Sequence, residues 1–415
     1  MYNKILGTFS SKVYSSAIGF VIIILTSHYM GPIGRGEISL FIANLTLVQL
    51  FNEIIIGPAL VFLVPRHKII HLLFISVLWS FFISLIIVAI LYLTNLSSNY
   101  LIIDLFYLSV LYALLSSSLM IIQGKQEIKK YNLINTLQSS ILILILCVYL
   151  FVLKIISIES YIHTLYFAYS IPMFISLLYV LKLCDDFKLK GVGKEFIIIL
   201  KTGFNAQISN FLNFLNSRIS YYIIAVLYID KSSLGIFALA TSLVEAVWLV
   251  SYSIATIQYP IISSSDNYKQ GAEISLSFSK ITFWGSTLLI LIMILIPEYI
   301  YLIIFGKGFA GIKEIILLLS PGIIVVSVSK IYWNYFSGLG KFKINNISGL
   351  IGLFCSTLSC YILIKYFGII GAAYSTVATY IIVSSYLFWA FRIDSGFTVK
   401  QLLPRWSDFK LLQKR

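Results

Sequence analysis

Apolar stretches long enough to cross a bilayer recur twelve times between Phe9 and Arg392, separated by short polar breaks. One crossing of a ~30 Å hydrocarbon core takes roughly 20 apolar residues as a helix. By that measure the first six spans fall near 9–29, 38–64, 69–94, 101–122, 133–153 and 161–181. The second six fall near 203–229, 234–262, 281–304, 312–336, 346–366 and 370–392. The stretch running into His28-Tyr29-Met30-Gly31-Pro32 has no small-residue cleavage pattern, so it is expected to be retained as the first span.

The second six spans echo the first. Gly36-Glu37-Ile38-Ser39-Leu40 follows span one, and Gly235-Ile236-Phe237-Ala238-Leu239 follows span seven, each after a short outer loop and before a long span. Gly124-Lys125-Gln126-Glu127-Ile128-Lys129-Lys130-Tyr131-Asn132 precedes span five, and Gly338-Leu339-Gly340-Lys341-Phe342-Lys343-Ile344-Asn345-Asn346 precedes span eleven. Because six is even, both halves enter the membrane with the same orientation, and the repeat is parallel. The expected fold is all-α and polytopic, with about 12 transmembrane helices in two pseudo-symmetric six-helix bundles, residues 1–190 and 191–415. The joint between them, 182–202, is the most polar interior stretch (Lys182, Asp185, Asp186, Lys188, Lys190, Lys194, Glu195, Lys201) and reads as a solvated linker.

Composition agrees: 415 residues are 59% apolar and 11% charged, with a mean hydropathy of +0.96, far from a soluble domain. The formal charge of +14 is a topology signal rather than a nucleic-acid footprint. With the amino terminus inside, 22 of the 30 lysines and arginines fall on the inner side and six outside, which places both termini in the cytoplasm. No loop exceeds about 20 residues, which leaves no room for a folded catalytic domain, and there is no phosphate-binding Gly-x-x-x-x-Gly-Lys loop. The chain therefore reads as a transporter and not an enzyme, with no cofactor, and with gradients or downhill flow as its energy source. Cys147, Cys184, Cys355 and Cys360 show no disulfide or metal spacing.

Ionisable groups at membrane depth usually face a cavity or a partner. Glu53, Arg218, Glu245 and Lys330 lie within spans. At ~100° per residue, Gln207, Asn210, Asn213, Ser217, Arg218 and Ser220 share one half of span seven, with Leu215 and Ile219 opposite. Two readings of Arg218 stand side by side: an anion ligand, its fork of donors matched to phosphate oxygens, and a charge partner of Glu245. Lys330 either lines the route or snorkels to the interface. Glu53 and Glu245 either couple transport to protons or sodium or serve as pairing groups. Lys12, with Ser11, Ser15 and Ser16, either receives substrate from the inner leaflet or is an ordinary basic anchor. Pro58, Pro172, Pro260, Pro297 and Pro321 lie within spans and are expected to kink them.

These residues carry a family likeness. Gly31-Pro32-Ile33-Gly34-Arg35-Gly36-Glu37 resembles the Gly-Pro-x-Gly-x-Gly turn of the polysaccharide biosynthesis transporters, the Wzx-type flippases of O-antigen and other repeat units. Leu215-Asn216-Ser217-Arg218, followed by Gly235-Ile236-Phe237-Ala238-Leu239-Ala240 and Pro260, resembles their second signature, and Gly124 to Asn132 resembles the loop before their fifth span. The resemblance implies the multidrug, oligosaccharidyl-lipid and polysaccharide transporter fold, MATE-like. It also implies a multi-pass flippase of the bacterial cytoplasmic (inner) membrane that moves undecaprenyl-diphosphate-linked oligosaccharide, O-antigen or capsule, to the outer leaflet. A polymerase and chain-length machinery are the implied partners beside the lipid-linked substrate and the bilayer. Family members often carry an acid two residues after the span-seven arginine, where this chain has Ser220. A multidrug exporter of the same fold and an O-antigen polymerase are the competing readings; the latter should show a large external loop.

Overall fold

Helix is the only regular structure among the described residues of the computed structural model, as hydrocarbon demands of a chain whose backbone must satisfy itself. The structure describes residues 2–97, 99–184, 192–227, 231–263 and 268–404. The helices are α1 (Tyr2–Ile56), α2 (Pro58–Leu63), α3 (Ile69–Leu93), α4 (Ile102–Gly124), α5 (Ile128–Cys147), α6 (Ile158–Lys182) and α7 (Val192–Leu227). Then come α8 (Lys231–Glu245), α9 (Trp248–Ser263), α10 (Tyr268–Leu295), α11 (Glu298–Phe305), α12 (Ile312–Gly338), α13 (Phe342–Ser395) and α14 (Val399–Leu402). Two compact units divide the chain, Met1–Phe211 and Leu212–Arg415, with the boundary inside α7.

Among the described residues eight helices are long and apolar enough to cross a membrane, or nine if α8 and α9, bent by 42°, count as one span. Two of the eight run for 54 residues each, roughly 80 Å at 1.5 Å per residue, more than twice one crossing. Each breaks at one glycine with left-handed φ, Gly31 (φ 67°, ψ −173°) and Gly368 (φ 61°, ψ −141°). At Gly368 the chain doubles back: Ser359 and Ser375 hydroxyls meet at 2.6 Å, sixteen residues apart. The expected loops at 30–37 and 367–369 are thus single-residue reversals, because glycine adopts that conformation without a Cβ clash. Expected span nine, 281–304, is displaced: α10 ends at Leu295, and Pro297, extended at φ −63° and ψ 149°, starts a separate eight-residue α11. Proline supplies no amide to continue the ladder.

In unit 1 the serines face inward. Ser76, Ser80 and Ser84, one turn apart on α3, are fully buried, while Phe81, Phe82, Leu85 and Ile86 are exposed. Lipid is as apolar as any core, so small hydroxyl residues that let backbones approach take the helix interface and large apolar ones take the lipid side. Asn52 on α1 donates through Nδ2 to Ser84 Oγ at 3.0 Å. The same device recurs in unit 2. Ser275, Ser279, Thr282 and Ser286 of α10 are buried, and Gln258 of α9 donates to Ser275 Oγ at 2.9 Å and to the Ile331 carbonyl at 3.0 Å.

Within unit 1, α7 crosses α1 so closely that an ideal Cβ at Gly203 would stand 1.6 Å from the Ile54 carbonyl oxygen. Two turns before that crossing Phe196 packs on Trp79, and the His67 and His71 Nδ1 atoms lie 3.4 and 3.1 Å from Glu195 Oε1. Glu195, expected in a solvated linker, is therefore held against a pair of imidazoles in the first turn of α7. Lys182 ends α6 and Lys194 and Lys201 belong to α7, so much of that expected linker is helix; Asp185, Asp186, Lys188 and Lys190 lie outside the described residues. Before α5, Glu127 accepts from Lys130 Nζ at 2.8 Å and from the Tyr179 hydroxyl at 2.6 Å.

Gly203→Ala is expected to cost at least about 3 kcal/mol, at the upper end of overpacking penalties, because its neighbour is backbone that cannot rotate away. Fluorescence-detected size-exclusion chromatography should show loss of the monodisperse peak. Lys130 first, then Tyr179, holds the Glu127 carboxyl below the usual carboxylate range. A depressed carboxyl stabilises the fold above its unfolded pKa, about 4, and that stabilisation fades as pH falls through the lower folded value. The acid limb of thermal stability should flatten in Glu127→Gln.

Candidate functional site

The break between α8 and α9 organises unit 2. Around it the backbone closes tight three-residue turns, Ala246 N to Leu243 O and Val247 N to Val244 O, both at 3.2 Å, instead of the α-helical ladder. Glu245 ends the first helix and Trp248 begins the second. Both make a side-chain contact to a cation.

Arg218 lies in the later half of α7, which covers expected span seven but is not among the described helices apolar enough to cross a membrane; it meets Glu245 as a two-toothed fork, Nη1 to Oε1 at 2.8 Å and Nη2 to Oε2 at 2.9 Å. Nη1 also donates to the Ser217 carbonyl at 3.2 Å, and Tyr221, one turn on, lies under the guanidinium with its centroid 5.1 Å away. The side chains of the pair are 26% and 13% exposed, so the pair is neither sealed nor fully solvated. Geometry of this kind is the strong form of an ion pair, since the planar fork matches both carboxylate oxygens. Across the break, Lys330 of α12 rests its ammonium 4.0 Å from the Trp248 ring and 4.9 Å from that of Tyr252, and donates to the Tyr252 hydroxyl at 3.3 Å. Tyr380 packs edge-on against Trp248 at 6.1 Å. The Trp248 indole Nε1 is buried and has no acceptor among the described residues.

The pairing reading of Arg218 and Glu245 is thus realised in the geometry. Asn216, on the same helix, donates to the Gly349 carbonyl at 3.0 Å, and α13 approaches so closely there that a Cβ on Gly352 would stand 2.7 Å from Asn216 Nδ2. Packing fixes α7 just before Arg218. Asn213 is exposed. In unit 1, Asn210 is exposed and donates to Gln207 Oε1 at 2.9 Å, and Gln207 donates to Glu53 Oε2 at 2.7 Å. Lys12 is exposed on α1, while its neighbour Ser11 is buried and donates to the Asn132 carbonyl at 3.3 Å. The polar half of span seven is therefore not one wet stripe. Gln207 and Ser220 are buried and partnered, and Asn210 and Asn213 are the members that stay open.

Sequence reasoning missed the aromatic members Trp248, Tyr252, Tyr221 and Tyr380. One signal was available: Trp248 follows Glu245 by three positions, a spacing that puts two side chains on one helix face. Tyr380 comes from a remote span and had none. Among the described residues no cluster of three metal-ligating side chains occurs.

Helices of this length and apolarity make the chain a multi-pass membrane protein. A family model described as "Polysaccharide biosynthesis protein" matches residues 2–266, and the chain belongs to that family. No curated protein matches it in sequence. Its fold is shared with a lipid II flippase, MurJ, in an inward closed conformation, at 17% identity and a TM-score of 0.73 over 97% of this chain and 89% of that one. A multidrug resistance MATE family transporter of the MOP superfamily, inward-facing, matches at 15% identity and 0.73 over 93% and 94%. An outward-facing conformation of a multidrug resistance MATE family transporter matches at 15% and 0.56 over 95% and 94%. The solved structures that share the fold are flippases and transporters, not enzymes.

Removing one member of a partly buried pair strands the other charge, at about 2 to 3 kcal/mol, discounted from the fully buried range for its residual exposure. Glu245→Ala should therefore lower the melting temperature in detergent more than the double variant Arg218→Leu/Glu245→Leu. A double-variant loss equal to the sum of the two single-variant losses would show no coupling between them.

Proposed function

We propose that this protein is a flippase for undecaprenyl-diphosphate-linked oligosaccharide repeat units, carrying them from the inner to the outer leaflet of the bacterial cytoplasmic membrane for O-antigen or capsule. The carrying observation is the Arg218 fork, held by Glu245 in a chain of the polysaccharide biosynthesis family. The head group of such a substrate brings two needs into hydrocarbon. Its diphosphate needs a cation, and its sugar hydroxyls need hydrogen bonds to replace lost water.

In the resting arrangement Glu245 occupies the two donors that a phosphoryl group would take. An arriving diphosphate exchanges the carboxylate for its own oxygens, so the guanidinium is never left bare. Lys330 is a second cation, parked on the Trp248 and Tyr252 rings and the Tyr252 hydroxyl rather than on an acid, and would turn to an anion at the loss of those contacts. The unused indole N–H of Trp248 and the open amides of Asn210 and Asn213 supply donors and acceptors for hydroxyls. Lys12 serves at the inner leaflet as an attracting charge. With the cell interior negative, outward movement of an anion is favoured by ~2.3 kcal/mol per charge per 100 mV. Polymerase and chain-length proteins would consume the product outside.

One observation favours a second reading, a multidrug exporter of the same fold: Glu53 has no basic partner among the described residues and would suit a cationic drug. Arg218 is the residue that separates the two.

In a strain carrying Arg218→Ala at normal protein level, completed single repeat units should accumulate on the lipid carrier in the inner leaflet, and surface polymer should fall. The lost charge-assisted bonds are worth about 1.5 to 3 kcal/mol each, so the fall should exceed about tenfold. Arg218→Lys, with charge but no fork, should recover only part. Normal turnover of lipid-linked sugar in both variants would sink the flippase reading, and drug sensitivity in its place would support the exporter.

A further inference from the structure

Unit 2 keeps one cation on aromatic rings rather than on an acid. The Lys330 ammonium stands 4.0 Å from the centre of the Trp248 ring and 4.9 Å from that of Tyr252, and donates to the Tyr252 hydroxyl at 3.3 Å. Among the described residues no carboxylate pairs with it, whereas Arg218 has Glu245. α12, which carries the lysine, is long and apolar enough to cross a membrane. An ionised group in such a helix turns to a partner or to a polar space.

Snorkelling to the nearer end of α12, at Gly338, does not account for the placement. Ser251 Oγ donates to the Ser327 carbonyl and Gln258 Nε2 to the Ile331 carbonyl, each at 3.0 Å, so α9 and α12 run side by side in the same direction. Trp248 precedes Ser251 and lies level with residues before Ser327, toward the middle of α12. The lysine reaches back to it, away from Gly338. Tyr252 is 51% exposed and Lys330 half-buried, so the group is open on one side.

The chemistry of an occupant follows from what each candidate would leave unused. A phosphoryl group alone would take the ammonium and leave the rings idle, and the diphosphate already has the Arg218 fork. A neutral sugar would place its C–H face on the electron-rich face of the indole, but it brings nothing to draw the ammonium off that face. A sugar with its own negative charge does both: its anion takes the lysine, and its C–H face takes the place the lysine leaves. Tyr380 joins this group to the fork, edge-on to Trp248 at 6.1 Å and within electrostatic reach of Arg218 and Glu245.

We propose that Lys330, Trp248 and Tyr252 form a subsite for an acidic sugar in the repeat unit, a uronic acid being the simplest. The inference rests on the flippase reading and narrows its cargo to an oligosaccharide charged beyond its diphosphate. Lys330 acts as a cover over the Trp248 ring, and an anionic sugar is what lifts it.

The deciding measurement is the composition of the lipid-linked sugar that accumulates when the gene is deleted, released by mild acid and read by mass spectrometry. At least one sugar bearing a carboxylate or a phosphate ester is expected, and the mass tells the two apart. A unit of neutral sugars only overturns the proposal and leaves a flippase in place. No accumulated lipid-linked sugar strikes the flippase reading instead, and the subsite is then judged on the protein alone. For that, the full chain in detergent is titrated with trigalacturonate and with neutral maltotriose while tryptophan emission is followed. Trigalacturonate should shift the emission saturably and maltotriose should not. Lys330→Ala should weaken the trigalacturonate midpoint by about tenfold or more, the worth of one charge-assisted hydrogen bond, and by uncovering the ring should let maltotriose give a response. Trp248→Phe, which keeps a ring and removes the reporter, should abolish the shift. No response to trigalacturonate, an equal response to both sugars, a midpoint unchanged in Lys330→Ala, or a shift that survives Trp248→Phe would each overturn the proposal. The comparison of the two sugars on the unaltered protein needs no variant, so a variant that does not fold leaves the test standing.

Discussion

Hydrocarbon offers no hydrogen bonds, so every polar group that enters it must find its partner within the protein, and the rest of this structure depends on that constraint. It accounts first for the absence of anything but helix among the described residues. It accounts next for α3, where Ser76, Ser80 and Ser84 are buried while Phe81, Phe82, Leu85 and Ile86 face outward. Serine hydroxyls in such helices bond back to carbonyls one turn earlier, as Ser76 does to Leu72 and Ser80 to Ser76. The interface is thereby kept narrow while these hydroxyls stay satisfied.

The same constraint shapes the ionised groups. Arg218 is not a bare charge awaiting a substrate; its donors are already spoken for by a carboxylate placed at a helix break. Breaks matter because a continuous α8–α9 helix would aim Glu245 and Trp248 along a single ladder, whereas the 42° bend lets each serve a different cation. On the flippase reading, this carboxylate stands where a phosphoryl group would bind and sets a threshold: a ligand must offer the guanidinium at least as good a pair of oxygens. A diphosphate meets that threshold more readily than a neutral or cationic drug. Lys330, whose ring partners are weaker than an acid, needs less to release it.

Glycine sets the distances on which these contacts rest. At Gly203 and Gly352 a neighbour occupies the space of a side chain, so α7 is anchored by backbone contact on one unit and by Asn216 on the other. At Gly31 and Gly368 the left-handed φ turns what would be a loop into one residue.

The helical, membrane-crossing character of most spans was legible in the sequence because crossing length and apolarity are properties of a segment by itself. Arg218, Glu245, Glu53 and Lys330 stood out for the same reason, as charges where none is cheap. The rotation of each helix about its axis, and so the partner each charge takes, was not legible. That is decided by packing between segments far apart in the chain. The fork from Arg218 to Glu245, the ring of Trp248 under Lys330 and the link from Gln207 to Glu53 all needed two helices set at a definite angle and depth. So did the displacement of span nine, where Pro297 ends α10 early although the apolar run continues past it: hydropathy measures what a segment is willing to leave water for, while only the tertiary structure decides what it meets there.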